Sequence, residues 1–302
     1  MSAPVIGFIG FGEAAHCFAQ HLSTQGFGKT VAFASGGTNR PPYSAAFRAR
    51  AEEAGVELLD SLDAVLARAD LVFSAVVVAT AADVGTAIAN GIKPGTLVVD
   101  INASTPSAKM SIAGAVQAGG GYYVDANLMG AVSIYGVKVP LYCSGGGVER
   151  FSSLFTPLGF SIENAGDRPG AAAAVKMLRS VVTKGIEALL IEAMTAATVA
   201  GVRAEALRGI CGPMDATQFS AFADMCIKTD VLHAERRAVE IDGVAQGIRE
   251  LGLDPVMTEA TSARLRSSAA LGQRDSFAAR KDYTADDVLD AYDLAMKGAG
   301  RQ

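Results

Sequence analysis

Short runs of β-branched and aromatic residues alternate with helical stretches over the first half of the chain. The runs are Val5–Ile9, Thr30–Ala34, Leu71–Val78, Leu97–Ile101 and Tyr122–Ala126. Most are apolar throughout rather than alternating, which is how strands covered on both faces of a parallel sheet read. Between them, Ala14–Ser23, Leu62–Ala69 and Ala108–Ala118 repeat at helical spacing, and Phe18 and Leu22 share one face of the first. Strand–helix alternation of this kind predicts an α/β doubly wound parallel sheet.

From about Gly170 the pattern changes. Strand-like runs stop, and Ala171 to Ala200 form one alanine-rich stretch without proline, with Gly185 as the point where a helix would bend. Its hydrophobicity runs nearly all round, so the expectation is a long helix buried between layers or subunits. Glu187 and Glu192 argue against a membrane span. Pro213, Gly243, Gly252, Pro255 and Gly272 are expected to separate further helices. The predicted domains are 1–168, holding the sheet, and 169–302, all-α and joined to it by the long helix. Lys297 to Gln302 read as a frayed tail. Two domains also suit a chain of 302 residues, at roughly 100–200 residues per domain.

Composition narrows the function. Half of the residues are hydrophobic, 19% are charged and the net charge is −5, which excludes a disordered chain. The acidic balance leaves no footprint for nucleic acid or an anionic membrane. Three histidines, His16, His21 and His233, nearly exclude a histidine-rich metal site. Cys17, Cys143, Cys211 and Cys226 are scattered, with no Cys-x-x-Cys pair, as in a reducing compartment. Met1 to Ile9 has no basic region before its apolar run, so it does not read as a signal peptide. The longest apolar stretch, Leu71–Ala82, is too short for a span of about 20 residues. The reading is a soluble cytoplasmic protein. The informative excess is glycine, at 33 residues.

The first strand runs directly into Gly10-Phe11-Gly12-Glu13-Ala14-Ala15 and then a helix. This is G-x-G-x-x-A, a form of the dinucleotide-binding fingerprint, in the strand–turn–helix context that gives it meaning. Gly10 makes the tight turn, and Gly12 lets backbone N–H groups approach a pyrophosphate at the helix N-terminus. Ala15 permits close helix–strand packing. The Glu13 carboxylate would repel phosphate and is expected to point away. The sheet is therefore expected to be Rossmann-like. NAD-binding folds carry an acid at the end of the second strand to hold the ribose diol. Here the segment reads Ala34-Ser35-Gly36-Gly37-Thr38-Asn39-Arg40, without one. Ser35, Thr38 and Asn39 can hydrogen-bond a 2′-phosphate and Arg40 can pair with it, so NADP(H) is favoured over NAD(H). The other reading is a glycine-rich surface turn with an incidental arginine. Val76 and Val78, at the end of the next run, complete the expected cofactor contacts.

Several blocks resemble the β-hydroxyacid dehydrogenase family, which belongs with the 6-phosphogluconate dehydrogenase-like reductases. They are Gly7 to Gly12, Asp100 to Pro106, Asp125-Ala126 with Gly130, and Gly170 with Lys176. A bacterial subgroup described as phosphogluconate dehydrogenase-like, with a C-terminal domain of unassigned role, is similar also in Gly12-Glu13-Ala14-Ala15, Lys184-Gly185-Ile186-Glu187 and His233-Ala234-Glu235-Arg236-Arg237. The resemblance implies a Rossmann-like domain, a helical domain, an active site in the cleft between them, and a dimer or tetramer.

It also implies roles. The family's catalytic lysine matches Lys176, which would protonate a carbonyl oxygen in reduction or take a hydroxyl proton in oxidation. The asparagine four residues on is Ser180 here, and Lys184 lies four further, so the three form one polar stripe on an otherwise apolar helix. The stripe would hold a substrate anion; an ordinary solvent-facing stripe is the other reading. The family's substrate-binding serine falls on Asn102, followed by Ala103; Ser104 and Thr105 serve either substrate or the next helix as caps. The loop Asn127-Leu128-Met129-Gly130-Ala131 replaces a family serine with Met129, which weakens any claim for a phosphorylated substrate. The helical domain lacks the family's Lys-Asp pair, where Val239-Glu240 stands. His233 with Arg236 or Arg237 is the expected substitute for binding a substrate anion, against an exposed basic face paired with Glu235 and Glu240.

The combined expectation is an NADP-dependent oxidoreductase acting on a small hydroxyacid or related hydroxy or carbonyl compound, with Lys176, Ser180 and Asn102 at the reaction and no metal. An imine or ketone reductase of the same fold is the nearer alternative, although those relatives usually replace the lysine. A catalytically silent NADPH-binding sensor is the other.

Overall fold

The computed structural model describes residues 4–299. The expected tail at Lys297–Gln302 lies partly outside them. The chain divides into two compact units, Met1–Val181 and Val182–Gln302, and the division falls inside a single long helix.

The first unit alternates strand and helix: β1 (Val5–Ile9), α1 (Glu13–Thr24), β2 (Lys29–Phe33), α2 (Ala45–Glu53), β3 (Val56–Leu58), α3 (Leu62–Arg68), β4 (Leu71–Ser74) and α4 (Ala81–Gly91). There follow β5 (Leu97–Asp100), α5 (Pro106–Ala118), β6 (Tyr122–Leu128), α6 (Val132–Tyr135), β7 (Leu141–Ser144), α7 (Val148–Phe155), β8 (Ile162–Asn164) and the first turns of α8 (Ala171–Val199). The strands form one eight-stranded sheet in the order β3-β2-β1-β4-β5-β6-β7-β8. Neighbours are parallel except β6 and β7. The order reverses between β1 and β4, and ligands of doubly wound sheets bind beyond the carboxyl ends of the strands at such a point.

The continuous apolar runs have a simple cause. Successive side chains point to opposite faces, and both faces are packed. On one lie Phe8, Phe73, Phe151, Phe155 and Phe160, with Phe8 and Phe73 stacked at 5.0 Å. On the other lie Val72, Val98, Ile112 and Val116.

The structure departs from these expectations in detail. The run Leu71–Val78 is strand only to Ser74. The last ladder bond is Ala75 N–H to the Ile9 carbonyl, and Val76 N–H turns instead to the Asn102 side chain. Strands β3, β7 and β8 went unforeseen, as did helices α2, α4 and α7. The strands are short, and β8 is largely exposed, so none carries an apolar run long enough to stand out.

The second unit contains the rest of α8, then α9 (Arg203–Asp215), α10 (Phe219–Glu250), α11 (Val256–Ala270), α12 (Arg274–Ala278) and α13 (Ala285–Ala299). Helix α10 is its spine, and Val231, Phe277, Val288 and Tyr292 form a small core. Gly252, Pro255 and Gly272 do separate helices. Pro213 does not, because it stands in the last turn of α9, where little helix remains to break. Gly243 lies inside α10, which continues because Ala238, Ala245 and Ile248 hold its buried face. Helix α8 likewise runs unbroken through Gly185, but much of its apolar surface is not buried among the described residues. Val181, Ile191 and Leu178 are each at least 60% exposed.

Candidate functional site

The glycine loop occupies the switch point. Gly10 has φ +88°, and a Cβ there would lie 2.1 Å from the Ala75 carbonyl oxygen at the end of β4, so only glycine fits. Its N–H donates to the Phe33 carbonyl at 2.8 Å. Gly12 differs: its φ is −82°, and a Cβ there would meet nothing within 4 Å. It is the N-cap of α1 and brings no side-chain cap. The first N–H groups of the helix therefore have no side-chain cap, which leaves them to an incoming anion. Glu13 is exposed and Ala14 half-buried. Ala15 is fully buried, as close packing demands. The Phe11 side chain is buried edge-on to Phe47, leaving its backbone to the loop.

The segment after β2 is a tight turn. Asn39 N–H donates to the Gly36 carbonyl at 3.0 Å, and Gly37 takes φ +56°. Ser35, Thr38 and Arg40 are exposed around it and Asn39 is half-buried.

A row of buried polar residues crosses the carboxyl edge of the sheet. The register aligns Ser74 with Asp100, Asp100 with Asp125, and Asp125 with Ser144, across β4 to β7. All four are at most 1% exposed. Two ionised carboxylates buried side by side need a counter-charge, and α5 supplies it. The Lys109 ammonium lies 3.0 Å from Asp100 Oδ1 and 3.3 Å from Asp125 Oδ1, and donates to the Asp100 carbonyl at 2.8 Å. Lys109 itself is fully buried. Tyr123 donates to Asp100 Oδ2 at 2.8 Å; burial first, then this carboxylate, raise its phenol well above the ordinary range. Burial, reinforced by Asp125 and opposed by Lys109, pushes the Cys143 thiol up to about 12.

One end of the row reaches an expected site residue, and the other reaches the start of the helix that carries one. Asn102 donates from Nδ2 to Asp100 Oδ1 at 2.7 Å and to Ser74 Oγ at 2.9 Å. Its backbone N–H also donates to Asp100 Oδ1, and its Oδ1 accepts from Val76 N–H at 2.6 Å. Its amide is thus committed within the protein. At the other end, Asp125 Oδ2 accepts from Ala173 N–H at 2.9 Å and from Ser144 Oγ at 3.2 Å, while Ser144 Oγ accepts from Ala172 N–H at 3.0 Å. The first turn of α8 is therefore held by a carboxylate, which the helix dipole also favours there. Gly170, at φ +85°, brings the chain in past the Pro106 carbonyl, which a Cβ would approach to 2.7 Å. Asn127 donates to Asp125 Oδ1 at 2.8 Å, and its buried Oδ1 accepts nothing from the described residues.

Lys176 follows one turn later and is half-buried. Burial, then the charges of Lys109 and Arg179, hold its ammonium below the ordinary lysine range, and Asp125 partly opposes them. Ser180 donates to the Lys176 carbonyl at 2.9 Å, leaving its oxygen lone pairs free. Of the remaining expected residues in this unit, Val76 and Met129 are half-buried, whereas Val78, Ala103 and Gly130 are exposed. Thr105 serves α5 as its cap, accepting from Ala108 N–H at 3.3 Å.

Lys184, His233, Arg236 and Arg237 belong to the second unit. Lys184 is exposed beside a shallow surface cavity that Glu187 and Asp254 also line. Arg236 is exposed and pairs with Glu240 one turn on. Arg237 donates to Thr229 Oγ1 at 2.9 Å, and His233 is half-buried. Among the described residues no three His, Cys, Asp or Glu side chains are grouped to hold a metal ion, and no helix is long and apolar enough to cross a membrane.

Sequence reasoning missed Lys109. Its signal was present: Lys109, Ile112, Ala113 and Val116 share one face of α5, and all four are buried. A lysine in register with an apolar stripe marks either an error of phase or a buried counter-ion.

Residues 5–104 match the family described as NADP oxidoreductase, coenzyme F420-dependent, and residues 197–268 match a domain of unknown function (DUF1932). A conserved hypothetical protein from Sinorhizobium meliloti 1021 is 32% identical over 98% of this chain and 97% of its own, with a TM-score of 0.62. A conserved protein of unknown function, described as structurally similar to 3-hydroxyacid dehydrogenases, is 29% identical, with 88% and 98% covered and a TM-score of 0.60. The fold is shared with an imine reductase from Aspergillus terreus, 20% identical, with 90% and 96% covered and a TM-score of 0.72. The fold is that of an NADP oxidoreductase. The chain belongs to one family with the Sinorhizobium meliloti protein, and its two matched models, an NADP oxidoreductase followed by a domain of unassigned role, fit the 6-phosphogluconate dehydrogenase-like β-hydroxyacid dehydrogenases.

Proposed function

We propose that the protein is an NADP(H)-dependent oxidoreductase acting on a small carbonyl or hydroxy compound, first of all a hydroxyacid, with Lys176 as proton donor and acceptor. The observation that carries this reading is the setting of Lys176. It is half-buried one turn into a helix whose first amides are fixed, and its pKa is depressed by burial and by neighbouring cations.

The residues fit the cofactor. Gly12 and the uncapped start of α1 leave room and N–H groups for a pyrophosphate, and Ser35, Thr38, Asn39 and Arg40 can bind a 2′-phosphate. NADP(H) is accordingly preferred, with NAD(H) as the weaker cofactor. When bound, the nicotinamide supplies or accepts the hydride. Lys176 gives its proton to the carbonyl oxygen in reduction, or takes the hydroxyl proton in oxidation; a lowered pKa eases both. Ser180 accepts or relays a hydrogen bond beside it. Asn102 sets the Val76 backbone. Ala103, Met129 and Gly130 flank the substrate in this reading. The protein is read as cytoplasmic, in keeping with four free cysteines, and as a homo-oligomer.

The test is NADPH oxidation with a panel of aldehyde acids such as glyoxylate, simple ketones and the cyclic imine 1-pyrroline, and NADP+ reduction with the matching hydroxyacids. Lys176→Ala should lower kcat by about 10²–10⁴-fold. Its NADPH dissociation constant should stay within about twofold of the parent's. In the parent the reductive rate should fall as pH rises through the lysine pKa, below the ordinary 10.5, because the proton donor is then lost. Turnover of 1-pyrroline alone would favour imine reduction. NADPH binding with no turnover of any compound would leave a sensor.

A further inference from the structure

Two of the expected site residues of the first unit, Asn102 and Lys176, come from different elements, yet neither is held independently. Asn102 hangs on Asp100, which accepts both its backbone N–H at 3.0 Å and its Nδ2 at 2.7 Å. Lys176 stands one turn beyond Ala173, whose N–H is held by Asp125 at 2.9 Å. Asp100 and Asp125 are neighbours in register on β5 and β6, and the one ammonium between them is that of Lys109. Without it, two carboxylates with essentially no access to water would face each other with no counter-charge, and their mutual repulsion would pull them away from the amides they now hold.

We infer that Lys109 is a positioning residue that couples the two halves of the site, fixing Asn102 and the Val76 backbone through Asp100 and the start of α8, with Lys176, through Asp125. Lys109 touches neither substrate nor cofactor in this scheme. Its contribution is the counter-charge that keeps two acceptors oriented. The inference rests on the oxidoreductase reading for its catalytic consequence and on geometry alone for the coupling.

The experiment compares the full-length parent with Lys109→Met and Ser144→Ala. Amide hydrogen exchange is followed at Val76 and at Ala172–Ala173, with NADPH binding read by its fluorescence and steady-state kinetics on the panel compound turned over fastest. In Lys109→Met, exchange should rise about tenfold at both places together, as two locally opened segments would. Ser144→Ala keeps the ion pairs and removes the acceptor of Ala172 N–H together with the hydroxyl that donates to Asp125, so exchange should rise at Ala172–Ala173 and not at Val76. Misplacing Lys176 should lower kcat by about 10- to 100-fold, and loosening Val76, an expected cofactor contact, should weaken NADPH binding in Lys109→Met but not in Ser144→Ala. Should Lys109→Met fail to fold, Asp125→Asn takes its place. It keeps an oxygen for Ala173 N–H but loses the ion pair to Lys109, and it should disturb Ala172–Ala173 and Val76 alike. Exchange unchanged at either place in the lysine variant, or an unchanged kcat in an active protein, overturns the proposal. A parent that turns nothing over removes the oxidoreductase reading instead, and the exchange pattern then decides the coupling alone.

Discussion

At the scale of single residues, the two fingerprint glycines have separable duties. Gly10 is dictated by the protein's own backbone, since a Cβ would run into the Ala75 carbonyl at 2.1 Å and φ is +88°. Gly12 is dictated by nothing in the protein, since its conformation suits any residue and its surroundings are open. Gly10→Ala should therefore destabilise the fold by about 1–3 kcal/mol. Gly12→Ala should alter stability by at most about 1 kcal/mol while weakening NADPH binding about tenfold or more, about 1.4 kcal/mol per tenfold. Denaturant unfolding and NADPH titration of both variants check the pair; equal losses of stability would refute the distinction. The fingerprint was legible because a strand, a turn and a helix follow each other locally. Lys109 was not, although its register was readable, because the carboxylates that justify burying it come from strands distant in sequence.

At the scale of elements, the same division recurs. Helix α1 and strand β1 announce themselves through local pattern, as does the Thr105 cap of α5, but other helix ends are settled by partners that no local pattern names. Helix α11 is the example. Glu192, on α8, accepts from the N–H groups of Met257 and Thr258 at 2.7 and 2.8 Å and from the Thr258 hydroxyl at 2.6 Å. In the sequence Glu192 served only as an argument against a membrane span. Burial acts to raise its pKa, but these three donors prevail and hold it below the ordinary carboxylate value. Glu192→Ala should cost about 1–2 kcal/mol, as loss of a helix N-cap does. The contribution has a definite sign in pH. It is fully present above the unfolded carboxylate pKa and lost as pH falls through the lowered folded value. Urea unfolding of parent and variant at pH 7 and in acid checks this, and the difference should shrink in acid.

At the scale of the whole molecule, the change from strand–helix alternation to helix alone was plain in the sequence, because it rests on two periodicities that differ over long stretches. What the sequence reading could not supply was the partner for α8, whose apolar residues stay exposed in a single chain. We expect light scattering to report a homo-oligomer, and polar substitution of Leu178 and Ile191 to shift it toward monomer; a monomeric parent would contradict this. The buried Asp100–Lys109–Asp125 group has a consequence for how such a sequence can drift. Removing one partner of a buried ion pair costs about 3–5 kcal/mol, whereas replacing a whole group by apolar residues of similar volume is often neutral. The path between those end states passes through a deep valley, so descendants of this chain should keep all three residues or have exchanged all three together.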